Sequence, residues 1–120
     1  MLALHFHQPV GQLKSVNERI FENSYRLLLD VFREFSDLKF TVHISGPLLL
    51  YLKDHHPDYL EALFKLGDVG TIEFMAGTIG ESIFSLVPSD LRVRQVAKYL
   101  ELFEKLSGLR PRGFWLPERV

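Results

Sequence analysis

The sequence predicts an α/β fold in which parallel strands, joined by helical crossovers, form about the first four strands of a TIM-like barrel. Strand and helix patterns alternate in the order β-α-β-α-α-β-α-β with little spare chain, which is the signature of parallel crossover connections. The strands alternate apolar and polar residues instead of running continuously apolar. A doubly wound sheet covered on both faces does not want a polar face, whereas the inside of a parallel barrel with a polar mouth does. The 120 residues suffice for one ordinary domain-sized body with a real core, here half a barrel.

Residues 2–7 read as the first strand, with Leu2, Leu4 and Phe6 on one face and Ala3, His5 and His7 on the other. Pro9 and Gly11 mark a loop, and Ser15-Val-Asn-Glu18 has the spelling of a capping box. Within 18–35, Phe21, Tyr25, Leu28, Phe32 and Phe35 recur at helical spacing and predict one buried face. Lys39 to Ser45, rich in β-branched and aromatic residues, is the second strand, with Phe40, Val42 and Ile44 opposing Thr41, His43 and Ser45. Ser45-Gly46-Pro47 opens a helix with proline in its first turn. His56-Pro57 interrupts that helix, and Asp58 to Leu66 restarts it until Gly67. A third strand covers 69–75, with Ile72 and Phe74 opposing Thr71 and Glu73. The stretch Ala76 to Pro88 is irregular and longer than a bare connection requires. Ser89-Asp90 then starts a helix that runs to Ser107, packs through Val93, Val96, Leu100, Phe103 and Leu106, and stops at Gly108. Residues 112–116 form the fourth strand.

Composition excludes several classes. With 47% apolar residues and a net charge of −1, the chain has no general electrostatic drive toward nucleic acid or anionic membrane. The absence of cysteine removes disulfide frameworks and thiolate metal sites and favours a reducing compartment. The opening Met-Leu-Ala-Leu-His is no signal peptide, and no apolar run reaches membrane-spanning length. The expected location is the cytoplasm.

Three constellations carry chemistry. His5-Phe6-His7-Gln8-Pro9 ends the first strand, and two histidines two residues apart point the same way, toward either a metal or a sugar hydroxyl. The bland alternative is a pair of structural histidines bonded to backbone carbonyls; His43, on the inward face by parity, has the same alternative. Glu73 lies among apolar neighbours, where a carboxylate is costly unless paired (Arg112 or Arg119 would serve) or used. Gly113-Phe-Trp-Leu-Pro-Glu-Arg119 delivers Glu118 three residues after the only tryptophan, Trp115. A carboxylate can attack or stabilise an anomeric carbon, and an indole face can stack on a sugar ring. Strict alternation puts Trp115 and Glu118 on opposite faces, so both reach one cleft only if the strand ends near Leu116 and Pro117 turns the chain. Glu81, in the irregular stretch, reads as a solvated loop charge or as a site-lining residue, and His55-His56 as surface residues at a helix end.

With these motifs in hand, the chain resembles the N-terminal part of glycoside hydrolase family 57, in its α-amylase and 4-α-glucanotransferase branch. Leu4-His-Phe-His-Gln-Pro9, Gly70-Thr-Ile-Glu-Phe74 and Gly113-Phe-Trp-Leu-Pro-Glu-Arg119 are similar to three ordered signatures of that family; Val42 to Leu49 and Pro57 to Leu60 also read like this branch. The resemblance implies a partial (β/α)7 barrel and retention of anomeric configuration on an α-glucan or maltooligosaccharide substrate. It implies Glu118 as catalytic nucleophile, His5, His7, Glu73 and Trp115 as substrate-binding residues, and no metal or organic cofactor. The family's acid/base is an aspartate beyond the third signature, so none is assignable here, and the isolated 120 residues are expected to be inactive. Residues 1–120 thus read as the N-terminal part of a catalytic barrel domain. A metal-dependent glycosidase or polysaccharide deacetylase using His5 and His7 is the competing enzyme reading, and it expects an aspartate beside those histidines. A non-catalytic assembly module is the third reading, with open sheet edges that favour self-association.

Overall fold

In the computed structural model, which describes residues 2–119, four parallel strands lie side by side in chain order. They are β1 (Leu2–Phe6), β2 (Phe40–Ile44), β3 (Ile72–Ala76) and β4 (Gly113–Phe114). Five helices cross between them: α1 (Lys14–Ile20), α2 (Arg26–Glu34), α3 (Gly46–His55), α4 (Pro57–Asp68) and α5 (Ser89–Ser107). A π-helical turn, Phe21–Tyr25, joins α1 to α2. Sequential strands that pair in parallel are what short right-handed crossovers produce.

The register decides which side chains share a level. His5 lies opposite His43, His43 opposite Met75, and Met75 opposite Gly113. One level nearer the N-terminal ends, Ala3, Thr41 and Glu73 align. All five residues of β2 are buried, because this central strand is covered on both faces. The apolar face packs under the helices through Phe6, Val42, Ile44, Phe74 and the helical Phe32, Leu49, Leu63 and Phe103, each at most 5% exposed.

Several local expectations give way. The Ser15–Glu18 capping box does not form, since α1 begins at Lys14 with Leu13 as its cap. Glu18 instead accepts bonds from the Tyr51 hydroxyl and from His56 Nε2 (3.1 Å), so longer-range partners outcompete the local one. His56 is therefore no free surface residue; its ring stacks on Phe21 at 3.6 Å, while His55 is exposed. Phe21, Tyr25 and Phe32 are buried as the periodicity predicts, but Phe35 is 48% exposed, because the helix has already ended at Glu34. On α5 the buried pair is Tyr99 and Phe103, and Val93 is 69% exposed. Tyr99 stands three residues after Val96 and four before Phe103, at helical spacing on the buried stripe, although it is not among the positions expected to pack. The Tyr99 hydroxyl donates to the Ile44 carbonyl at 2.7 Å and so satisfies a group at the end of the central strand. Gly108 closes α5 in the left-handed conformation (φ 70°), as a glycine after a helix should. β3 starts later than its pattern suggests, at Ile72, and β4 is only two residues long. Among the described residues no helix is long and apolar enough to cross a membrane.

Candidate active site

The site sits beyond the C-terminal ends of the strands, where parallel α/β sheets bind ligands. Its floor is an array of aromatic rings. His5 occupies the penultimate position of β1 and His43 that of β2. Their imidazoles lie nearly in one plane (16° apart), with Nδ1 to Nδ1 at 2.8 Å. Trp115 lies over them, its ring centroid 4.4 Å from that of His5 at an interplanar angle of 12° and 6.1 Å from that of His43. Gly113 lies level with Met75 and His43, so Trp115, two residues further on, shares the histidines' face by simple alternation. Its amide donates one last ladder bond, to the Ala76 carbonyl at 2.7 Å, and the chain leaves the strand pattern only afterwards, in the turn Pro117–Arg119. His7 is the exposed member of the group, its ring 5.5 Å from that of His5.

The exit of β1 is pinned from below. The Tyr25 hydroxyl donates to the His7 carbonyl at 3.0 Å and accepts from Gln8 Nε2 at 3.1 Å, while the Gln8 amide donates to Ser45 Oγ at 3.4 Å. Gln8 thus serves the scaffold, through its side-chain NH2 and its backbone N–H, and the side chain is buried.

Glu81 is the residue that the sequence undervalues. It comes from the irregular loop after β3, yet its carboxylate lies 3.7 Å from both His5 Nε2 and His43 Nε2 and is only 11% exposed. The loop is held by its own bonds: the Glu81 amide donates to the Thr78 carbonyl (3.4 Å), the Ser82 amide to Thr78 Oγ1 (3.1 Å), and the Ile79 amide to the Gln95 carbonyl (3.3 Å). Glu81 itself adopts a left-handed backbone (φ 53°), which costs a non-glycine residue free energy and marks a position that the surroundings impose. Burial pushes its carboxyl up to about 7. Burial, helped by the neighbouring imidazoles, holds His5 down to about 4 and His43 to about 3. The buried atoms His43 Nε2 and Glu81 Oε1 have no hydrogen-bond partner among the described residues.

The residues expected at the site separate into two groups. His5, His7 and Trp115 come together, and His43 and Glu81 join them. Glu73 does not. It faces the same side of the sheet but lies two residues earlier on its strand, about 6.6 Å lower, and it is exposed in a hollow of about 500 Å³ beside Arg110, Pro111 and Arg112. Glu118 follows β4 in the turn Pro117–Arg119, exposed and with a left-handed backbone (φ 58°). No salt bridge or side-chain hydrogen bond among the described residues ties its carboxylate down. His5, His7 and Glu81 each offer an atom within 4.8 Å of the others, the carboxylate being a glutamate from another element and not the aspartate a metal reading expects. Both His5 nitrogens are already directed at protein groups, Nδ1 at His43 and Nε2 at Glu81, so this set is not assigned as a ligand cluster.

Residues 2–120 match the family model described as Glycosyl hydrolase family 57. The chain is 40% identical over 119 residues to α-amylase 1 of Dictyoglomus thermophilum, covering 99% of the chain and 17% of that protein. It is 35% identical over 120 residues to the 4-α-glucanotransferase of Thermococcus kodakarensis, covering 100% of the chain and 18% of that protein. The crystal structure of the 4-α-glucanotransferase from Thermococcus litoralis superposes with a TM-score of 0.93 at 34% identity, over 100% of the chain and 19% of that structure. The chain therefore spans less than a fifth of the length of the curated relatives it matches, and its four-stranded sheet is the N-terminal part of a TIM-like barrel. On the family match over residues 2–120 and the shared fold, the chain belongs to glycosyl hydrolase family 57.

Proposed function

We propose that residues 1–120 form the N-terminal part of the catalytic barrel domain of an α-glucan-active retaining enzyme, an amylase or a 4-α-glucanotransferase. In this reading Glu118 is the nucleophile and His5, His7 and Trp115 form a sugar-binding surface. The observation that carries the proposal is the stack of Trp115 on His5 beside an exposed His7 at the C-terminal ends of the strands. A flat aromatic face flanked by a hydrogen-bonding group is the form of a pyranose subsite: the ring's C–H face lies on the indole, and its hydroxyls reach polar neighbours. The similarity to α-amylase 1 and to the two glucanotransferases supplies the substrate class. Glu118 attacks the anomeric carbon, the bond to the leaving oxygen breaks as that oxygen is protonated, and a glycosyl-enzyme ester forms. Water or a sugar hydroxyl then releases it, which makes hydrolysis and transfer alternatives of one mechanism. Retention needs a second carboxyl about 5–5.5 Å away. Glu81 is a poor candidate for that acid/base, since its oxygens point at His5 and His43. We accordingly place the acid/base outside these residues and expect no turnover from the 120 residues alone.

Trp115 is the only tryptophan, so indole fluorescence reports on this surface alone. Titration with maltooligosaccharides is expected to change that emission saturably, and Trp115→Ala, which has no indole to report, to lose the binding heat that calorimetry reads for the parent. Emission that stays constant at millimolar sugar, in a protein shown to be folded, would count against a sugar-facing indole.

A further inference from the structure

We propose that Glu81 is a positioning residue: it closes a ring of three proton-sharing links with His43 and His5, and this ring holds the His5 imidazole flat beneath Trp115. The inference rests on the sugar-binding reading above for its functional meaning, but its geometry stands by itself. Two imidazoles and one carboxyl offer six polar atoms. They face each other in three pairs: His5 Nδ1 with His43 Nδ1 at 2.8 Å, His43 Nε2 with Glu81 Oε1 at 3.7 Å, and His5 Nε2 with Glu81 Oε2 at 3.7 Å.

The short nitrogen–nitrogen contact fixes the proton count. It requires one proton, because two would collide and none would set two lone pairs against each other. Neutral His5 and His43 must therefore be opposite tautomers. Whichever donates from Nδ1 has a bare Nε2, and the other carries N–H at Nε2. Glu81 is thus presented with one acceptor and one donor. A protonated carboxyl, with one O–H and one carbonyl oxygen, complements that pair, whereas a carboxylate leaves a bare nitrogen facing a bare oxygen. Three protons then occupy three links with no net charge, and moving each proton across its own link, from donor to acceptor, reverses the sense of the ring without gain or loss of a proton. The links to Glu81 are longer than hydrogen bonds in this geometry and act as electrostatic contacts, which a movement of the carboxyl by less than about 1 Å converts into hydrogen bonds.

Independent features of the chain serve this arrangement. Glu81 holds its strained backbone conformation in the loop, and a Cβ on Gly77 would overlap His43 Nε2. The raised carboxyl and the two lowered imidazoles favour the same neutral state. The other titratable groups facing the ring are His7 from β1 and Tyr99 from α5, whose ring lies 5.6 Å from that of His43. With both nitrogens of His5 occupied, the hydrogen bond to a sugar falls to His7, and His5 serves as the platform for the indole.

Two-bond 1H–15N correlation of the imidazole nitrogens at about pH 6 tests the ring in the sugar-free protein. The expected result is one Nδ1–H tautomer and one Nε2–H tautomer for His5 and His43. Glu81→Gln, whose amide also offers a donor and an acceptor, is expected to keep opposite tautomers; Glu81→Ala, which frees both Nε2 atoms, is expected to release the Nδ1–Nδ1 pairing and with it the opposite tautomers and the native Trp115 emission. Identical tautomers in the unsubstituted protein overturn the proposal, as does an Ala variant whose two rings and emission are unchanged. Failure of maltooligosaccharide to perturb Trp115 leaves these readouts untouched and counts instead against the sugar-binding reading.

Discussion

Gly77→Ala is expected to destabilise the protein by about 2–5 kcal/mol, read as a lower denaturant midpoint with little change in slope. The added methyl would overlap Nε2 of a His43 ring that is fully buried, and the ring's Cε1 would lie 3.0 Å away. His43 cannot swing aside, because His5 and Tyr99 flank it. Gly77 does not use a glycine-only backbone conformation, so the cost arises from crowding and from the broken Nδ1–Nδ1 bond. Gly80→Ala is the control, since its methyl would meet only the end of the Gln95 side chain at 3.2 Å. It is expected to stay within about 0.5 kcal/mol of the parent. In a His43→Ala background the Gly77→Ala cost should shrink, because the clash has lost its partner. Equal costs in the two backgrounds would show that Gly77 matters for another reason.

A pH-dependent stability with its maximum near 6.5 is the second large expectation. His5 and His43 are held below the usual 6.5, to about 4 and about 3, so from pH 4 to 6.5 the unfolded chain binds more protons at both, and stability rises with pH. Glu81 is raised from 4.5 to about 7, so between those values the folded protein holds the extra proton and stability falls with pH. From 4.5 to 6.5 the net is one proton more in the unfolded state, a slope of at most about +1.4 kcal/mol per pH unit. Between 6.5 and 7 only the Glu81 contribution remains, with the opposite sign. Glu81→Gln removes that opposing contribution. The difference in unfolding free energy between parent and variant is then expected to shift by about 3 kcal/mol from pH 4.5 to 7, while groups common to both cancel. Parallel stability curves for parent and variant would show that Glu81 titrates normally and that the ring carries no extra proton.

Strand periodicity revealed more of this protein than loop chemistry could. Alternation along β1 and β2 placed His5 and His43 on one inward face, because parity on a strand is set by the backbone alone. Parity gives the face but not the height. Glu73 shares that face and still sits a level below the histidines, which only the register between neighbouring strands determines. Trp115 shares that face because it keeps the parity of Gly113, whose level with Met75 and His43 again only the register reveals, while Glu118 departs from the pattern in the turn that Pro117 begins. Glu81 was hidden for a different reason. The loop from Gly77 to Pro88 has no period, and its fold depends on a turn whose amides donate to Thr78 and on a bond to the Gln95 carbonyl of α5, which no local rule specifies. A carboxylate in such a loop looks solvated until its neighbours are known. The unused capping box at Ser15 is the converse case, in which a correct local signal yields to Tyr51 and His56 bonding Glu18 from another helix.

The assignment of Glu118 as nucleophile is tested most directly by covalent trapping. A 5-fluoro-α-maltosyl fluoride loses fluoride without needing a proton from an acid, and its second fluorine slows release of the glycosyl-enzyme, so the ester accumulates on the attacking carboxylate. Mass spectrometry of the protein treated in this way is expected to find the sugar on the peptide containing Glu118, and to find none on Glu118→Gln. Sugar attached instead to Glu73 or Glu81, or an unmodified Glu118 in protein whose Trp115 emission shows the sugar to be bound, would contradict the account.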